Sequence, residues 1–455
     1  MVVKFVEHSS PFSFAFYEFF WSVEVFFPSS DFVIKLQSSS YFFGIQKLYY
    51  VIDSLVFFLK PSDLRALGLK FIPTQCLIRK LNKLSFMLRI GVVGPTFPPI
   101  EVTADVARSV EEKGYDSIWF PDHLMGWFPQ TIWTPEIVDA LALYSPHHFF
   151  EATLSIAVAA SSTKRIRIGS AVTEAVRHHP AMLAQSYATL EHVTNSRVVF
   201  GIGAGELENV KPYGLKYEKV VSRLEEALQV IRLLWSSKRD DLINYDGKYF
   251  KLKDAVFELP PLKRRPPIWI GGAGERMCRI TARYADGWLP FTVNVEEYKK
   301  KLGIIKEECG KISRDFDEIE KGIYLKIIID ESGEECLRIM EAPLVKAGAL
   351  LAPASIYKEL GYNHPLGENF YSLTDYIPAK YTREEVMKAI ESVPMEVVQE
   401  YFLWGKVDDV IEKLDKYRKG GVQTVVFWNF TFLGDVNKVG NSYECIDQLV
   451  NYFKE

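Results

Sequence analysis

From Met87 to its end the chain alternates short apolar runs with longer stretches in which apolar residues recur every three or four positions. The short runs predict strands at 88–93, 116–120, 165–172, 198–202, 268–271, 287–290, 323–330 and 422–428. The longer stretches predict helices at 102–113, 181–192, 219–235, 276–285, 295–309, 407–419 and near 441–454. Two more fall within 135–160, broken near Pro146, and another runs to about Lys346. Gly114 and the Gly420-Gly421 pair stand where helices should stop. Eight strands, most followed by a helix, imply a (β/α)8 TIM barrel over 87–455. Two insertions interrupt it, at 240–262 and about 350–400. The first contains a hairpin at 243–252, turning at Asp246-Gly247. The second reads as loop, rich in polar and aromatic residues. A doubly wound sheet is the alternative, but no G-x-G-x-x-G opens a helix after the first strand.

Composition changes the picture mainly before Met87. The first 86 residues hold 15 of the 31 phenylalanines, with serine clusters such as Ser38-Ser39-Ser40. Their apolar runs are too short to span a bilayer, and no signal peptide is apparent. Residues 1–86 therefore read as a non-barrel N-terminal extension, disordered in one reading and an over-called translation start in another. Net charge is −4, which offers no basic field for nucleic acid or an anionic membrane. The five cysteines are scattered, without metal-binding spacing or a disulfide framework, as in a reducing cytoplasm. The expected partners are a small-molecule substrate and neither nucleic acid nor membrane.

In a barrel, chemistry collects where strands end. The first strand ends at Gly94-Pro95-Thr96-Phe97. The second ends at Pro121-Asp122-His123, with Trp127 beyond. An acid directly before a histidine can orient the ring, imidazole titrates near neutrality, and an indole offers a flat wall. The third strand leads to Ala171-Val172-Thr173-Glu174 and then His178-His179, whose spacing with the carboxylates does not suit a metal. The fourth ends in GIGAGELEN, where Gly201, Gly203 and Gly205 allow close approach to the backbone. Glu206 then presents a carboxylate at the rim, with Asn209 one turn on. The fifth ends in Gly271-Gly272-Ala273-Gly274 before a helix, a candidate anion site. Arg276, Arg279 and the run Lys263-Arg264-Arg265 are possible counter-charges.

Taken together, GYDSIWFPDH, IRIGSAVT, NSRVVFGIGAGELEN, PPIWIGGAG, ARYADGW and KVDDVIEKL resemble the bacterial luciferase-like superfamily. The likeness is to its deazaflavin-dependent branch of phthiodiolone ketoreductases and methylenetetrahydromethanopterin reductases, and it covers about 87–455. It implies a homodimeric barrel that binds coenzyme F-420, an 8-hydroxy-5-deazaflavin, with FMN and oxygen as the alternative of a monooxygenase. It implies a ring near Asp122, His123 and Trp127, backed by a non-proline cis peptide at Ala171-Val172. Gly271, Gly272, Ala273 and Gly274 would take the phosphate of the cofactor tail. Glu206 and Asn209 match the family's acid and its companion. Hydride would pass to a carbonyl or imine carbon, with His123 or Glu206 as proton donor. The sugar-phosphate branch carries a glutamate after strand one; Thr96 and Phe97 stand there instead, so sugar-phosphate oxidation is not expected. Thr96, Phe97 and Glu174 are the expected substrate pocket, in a mouth made apolar by Phe97, Trp127, Phe128 and Trp133.

Overall fold

The computed structural model describes residues 87–292 and 294–454, together with the backbone of three strands at 2–7, 21–26 and 33–38. The chain divides into two compact units, 1–85 and 86–455. In the first, the three strands pair antiparallel in sequence order, with Val2 opposite Phe26 and Trp21 opposite Ser38. The expectation that the native chain starts at Met87 lies outside the described residues.

The second unit is a closed barrel. Its strands are β1 (Arg89–Val93), β2 (Ser117–Phe120), β3 (Arg167–Ser170), β4 (Val198–Gly203), β5 (Ile268–Gly271), β6 (Gly287–Leu289), β7 (Glu320–Ile329) and β8 (Thr424–Asn429). Each pairs in parallel with the next, and β8 returns to β1 with Thr424 opposite Arg89. Closure rules out the doubly wound alternative, which needs two free edges. The intervening helices are α1 (Glu101–Glu112), α2 (Ala152–Ser162), α3 (Pro180–Val193), α4 (Val220–Trp235), α5 (Glu275–Tyr284), α6 (Val295–Lys311), α7 (Val407–Lys419) and α8 (Val439–Lys454). Only α2 differs much from expectation. Much of 135–151 is a short helix, a 3-10 turn and loop, because Pro146 cannot donate to a continuing helix.

Strand alternation divides the apolar residues into two layers. Ile90, Val92, Ile118, Phe120 and Ile168 face the helices. Val93, Trp119, Val199, Trp269, Leu289, Tyr324 and Val426, one from each of seven strands, fill the lumen. Trp119 and Trp269 meet at the centre with rings 5.3 Å apart. Glycines on neighbouring strands make room for them. A Cβ on Gly169 would lie 2.6 Å from the Trp119 ring, and one on Gly287 2.3 Å from Trp269. This large-against-small complement makes the barrel a packed core and not a pore.

The first insertion forms the expected hairpin, Ile243–Asp246 with Lys251–Ala255. The second is not loop. It holds helices at Ala354–Glu359, Ser372–Asp375, Arg383–Glu391 and Met395–Tyr401. The legible signal was Thr382-x-x-Glu385, which forms a capping box, followed by buried Val386, Ala389 and Ile390 at helical spacing. The first, third and fourth of these helices join Phe128, Ile132 and Phe430 in a second apolar core beside the barrel mouth.

Candidate active site

The C-terminal strand ends bring together side chains far apart in sequence. After β4, Gly205 turns the chain with φ +89°, and one helical turn, Leu207–Val210, follows. That turn places Glu206, Glu208 and Asn209 against the loop that leaves β2. The Asn209 Oδ1 accepts from the backbone amides of Leu124 (2.7 Å) and Met125 (3.0 Å). Those two N–H donors fix which end of the amide is oxygen. Its Nδ2 therefore donates to His123 Nδ1 at 2.8 Å. An Nδ1 that accepts leaves the ring's hydrogen on Nε2. Among the described residues Nε2 makes no hydrogen bond. The ring lies edge-on to Trp127 at 5.3 Å and beside Phe149 at 5.1 Å.

The Trp127 indole N–H points between two carboxyl groups, 3.1 Å from Glu206 Oε2 and 3.0 Å from Glu208 Oε1. Glu206 Oε2 is also 3.9 Å from His123 Nδ1, too long for a hydrogen bond. Burial pushes the Glu206 carboxyl up, but His123, a hydrogen bond with Glu208 and the indole lower it by more. Burial, and then the charge of Glu206, push Glu208 well above the carboxylate range. Oxygen and nitrogen atoms of His123, Glu206 and Glu208 lie within 4.8 Å of one another. The indole and amide N–H groups already fill the space between them, so a cation would have to displace both.

Asp122 does not orient His123, contrary to what adjacency suggested. Successive residues of an extended segment point opposite ways. The Asp122 carboxylate is buried, accepts from Thr173 Oγ1 at 2.5 Å, and meets Arg177 and His178 Nε2, each at 3.2 Å. Burial would raise it, but the His178 hydrogen bond, the Arg177 charge and Thr173 hold it at about 2. The hydrogen bond to Asp122 in turn raises His178. Glu174 is buried beneath the mouth and spends its oxygens on Arg177 Nε (2.7 Å) and on the backbone amides of Val176 and Arg177. This network supports the floor of the site and was not foreseen.

The glycines of β4 and β5 serve a neighbour within the chain. The Ala171–Val172 peptide bond is cis. Val172 fills the space above Gly203 and Gly271, where added Cβ atoms would each lie 2.9 Å from its Cγ2. On Gly201 a Cβ would collide with the Ser170 carbonyl. The close approach inferred from this pattern is thus made by the β3 end, and not directly by a ligand. Gly272 has φ +112°, and its carbonyl accepts from Trp288 Nε1 at 2.9 Å. Gly274 caps α5 without a side chain, leaving the first-turn amides open, and a Cβ there would meet nothing within 4 Å. The expected counter-charges are not at hand. Arg276 binds Ser222 and Glu225, and Arg279 pairs with Glu275. Arg265 binds Asp286 at the opposite end of β5, a strand about 13 Å long.

Phe97 packs on Tyr144 at 4.7 Å, and the Thr96 carbonyl accepts from Phe150 N at 2.9 Å, so both lie in the loop beside the mouth. Phe128 and Trp133 turn away into the second core. Trp127 instead touches Phe291 and Trp428. Sequence reasoning passed over Glu208 and Lys326. Lys326 is 1% exposed on β7, hydrogen-bonded to Tyr401 Oη at 2.9 Å and ringed by Trp127, Phe291, Tyr401 and Phe430. A lone lysine inside the apolar run IYLKIII was the available signal.

A family model described as luciferase-like monooxygenase matches residues 85–424. A phthiodiolone/phenolphthiodiolone dimycocerosates ketoreductase of Mycobacterium tuberculosis is 33% identical over 351 residues, covering 75% of this chain and 92% of that protein. A coenzyme F-420-dependent glucose-6-phosphate dehydrogenase of Amycolatopsis mediterranei is 25% identical over 351 residues, covering 75% and 92%. Among solved structures, the coenzyme F-420-dependent tetrahydromethanopterin reductase of Methanopyrus kandleri superposes with a TM-score of 0.62 at 19% identity, covering 80% of this chain and 98% of that one.

Proposed function

The chain belongs to the luciferase-like monooxygenase family, and on that premise we propose that it is a deazaflavin-dependent reductase of a carbonyl or imine carbon. The observation that carries this reading is the meeting of His123, Glu206 and Glu208 on one indole at the strand ends. The ketoreductase and dehydrogenase relatives supply the reaction class. The uncapped N-terminus of α5, with open space over Gly274, fits an anionic cofactor tail. His123, Trp127 and the Val172 bulge would hold a planar ring. Bound there, reduced coenzyme F-420 would supply a hydride.

The protein's own groups then divide the work. His123 offers Nε2–H to the substrate oxygen, and Asn209 holds the ring in the tautomer that can do so. A ring whose Nδ1 accepts cannot surrender its single hydrogen without becoming an imidazolate. The proton that completes an alcohol therefore comes from the carboxyl side of the site. Phe291, Trp428 and Trp127 favour an apolar substrate over a sugar phosphate.

The test is direct. The protein is mixed with reduced F-420 or reduced FMN, and each absorbance is followed with a panel of ketones and, in reverse, alcohols. Oxidation of reduced F-420 that depends on a ketone supports the reading. Oxygen-dependent consumption of reduced FMN, with no use of the deazaflavin, would replace it with a monooxygenase.

A further inference from the structure

The pair of carboxyl groups under Trp127 has a consequence beyond the family reaction. One indole N–H serves two oxygens, Glu206 Oε2 and Glu208 Oε1. Glu208 is 1% exposed, and its Oε2 meets no hydrogen-bond donor. The Asn209 amide reaches only Oε1, at 3.4 Å. Among the described residues no cation is committed to the pair. Arg177 is spent on Glu174 and Asp122, and the Lys326 amine is bonded to Tyr401. Two carboxylates so placed cannot both ionise near neutrality.

We propose that Glu206 and Glu208 hold one proton between them, resident on Glu208, and that this proton passes through Glu206 to the substrate oxygen as hydride reaches carbon. The proposal rests on the reductase reading above for its second half only. A hydrogen on Glu208 accounts for a buried carboxyl oxygen that meets no donor, and the two carboxyl groups are close enough to share it. Burial and the neighbouring charge favour the neutral form of Glu208, while the hydrogen bonds from Glu208 and the indole favour the ionised form of Glu206. The other titratable groups facing the pair are poor acids. Tyr217 from the loop after β4, Tyr324 from β7, and Tyr371 and Tyr401 from the insertion are all raised, Tyr371 to about 12. Burial holds Lys326 well below the usual lysine range, and its amine is bonded to Tyr401.

The step balances. The new C–H bond would take its electron pair from the hydride that a bound reduced deazaflavin would supply, leaving the deazaflavin oxidised. The carbonyl π pair moves to oxygen and takes the proton from Glu206, which takes one from Glu208. The pair is left with no proton and regains it from water before the next turn. Glu208 thus acts through Glu206, as the group that keeps the acid loaded.

Infrared difference spectroscopy on the cofactor-free protein tests the first half. At neutral pH the wild type should show the C=O stretch of one protonated carboxylic acid, shifted in deuterium oxide and absent from Glu208→Gln. Titrating that band in the wild type needs no variant and so does not depend on the variant's folding. The second half is read from the pH profile of ketone reduction. The loaded pair exists below its upper titration and empties above it, so the wild-type rate falls as pH rises. In Glu208→Gln that fall should move down toward the ordinary carboxylate range. The rate at the optimum should drop about 10- to 100-fold, with deazaflavin binding within about twofold. Turnover without the band overturns the pair and leaves the reductase reading standing. A band without turnover on any carbonyl overturns the delivery step and that reading together.

Discussion

Two groups of buried acids, one at each end of the barrel, are compensated in opposite ways. At the N-terminal end, Glu320 opens β7 and faces the first residues of β1, β3 and β8. It accepts from Arg167 at 2.9 and 3.0 Å, from Arg89 at 2.7 Å, and from Thr424 at 2.6 Å. Burial would raise this carboxyl, but the Arg167 and Arg89 charges and Thr424 hold it at about 2. At the C-terminal end, Glu206 and Glu208 share one neutral N–H, and the nearest lysine is itself deprived of water. Glu320 is given more positive charge than it needs, whereas the Glu206–Glu208 pair is given less, although Asp122 and Glu174 beside it are paired with Arg177. The first arrangement locks strands together. The second leaves a proton in a place where a substrate can use it, which is why function belongs at that end.

The largest way to break this comparison is at the top. His123→Ala should lower the rate of carbonyl reduction about 10²- to 10⁴-fold, because the polarising N–H is lost. Its melting temperature should hardly move, since the ring contributes one hydrogen bond and edge contacts. A rate within threefold of wild type would show that the imidazole takes no part.

The next effect belongs to the other end and should reverse the signature. Glu320→Gln keeps the shape but leaves Arg89 and Arg167 facing each other. The cost is about 2–3 kcal/mol of stability, with turnover unchanged below the melting transition. Acid offers an independent check. Because the folded carboxyl titrates at about 2, below its ordinary 4.5, its contribution is complete above 4.5 and vanishes as pH falls toward 2. The gap between wild type and Glu320→Gln should therefore close over that window. Asp122, also held at about 2, titrates in both proteins and cancels. A gap that stays constant down to pH 2 would mean that the arginines do not hold Glu320.

How far these ends could be read from sequence follows from the range of the forces involved. Strand order, helix positions and the mouth residues His123, Trp127, Glu206 and Asn209 follow from local patterning and motif order. The partner of each polar group does not, because partners come from distant strands. Asp122 and His123 are adjacent yet serve different networks, with partners 51 and 86 residues away in sequence at Thr173 and Asn209. Glu208 stood inside a stretch read closely, but nothing in the spacing set it apart from any other acid on a short polar turn. Only Trp127, arriving from β2, bridges the two. Glu320 gave no signal at all, since a strand's first residue is usually solvated. The insertion was misread as loop because its turns are rich in polar and aromatic residues. Its helices are held by a core shared with Phe128 and Phe430, which the spacing within 350–400 cannot show.

The smallest effect sharpens the comparison most, because its sign is unusual. Among the described residues Lys326 has one hydrogen-bond partner, Tyr401, and its amine lies 4.2 Å from that ring and 4.8 Å from Phe291. Burial holds its titration well below the usual lysine value, with Glu206 only partly opposing this. A lysine whose folded pKa is depressed costs stability at any pH below its unfolded value, since the unfolded chain takes up a proton that the fold resists. Lys326→Met removes that cost and keeps the packing volume. It forfeits the bond to Tyr401, worth about 1 kcal/mol. The variant should be as stable as wild type or more so, by up to about 1 kcal/mol at neutral pH. The advantage should shrink as pH rises toward 10.5, where the unfolded lysine also loses its proton. A loss of more than about 1 kcal/mol at neutral pH would mean that the amine is charged and held by the surrounding rings and Glu206. The upper end would then be compensated as fully as the lower, and the contrast between them would fail.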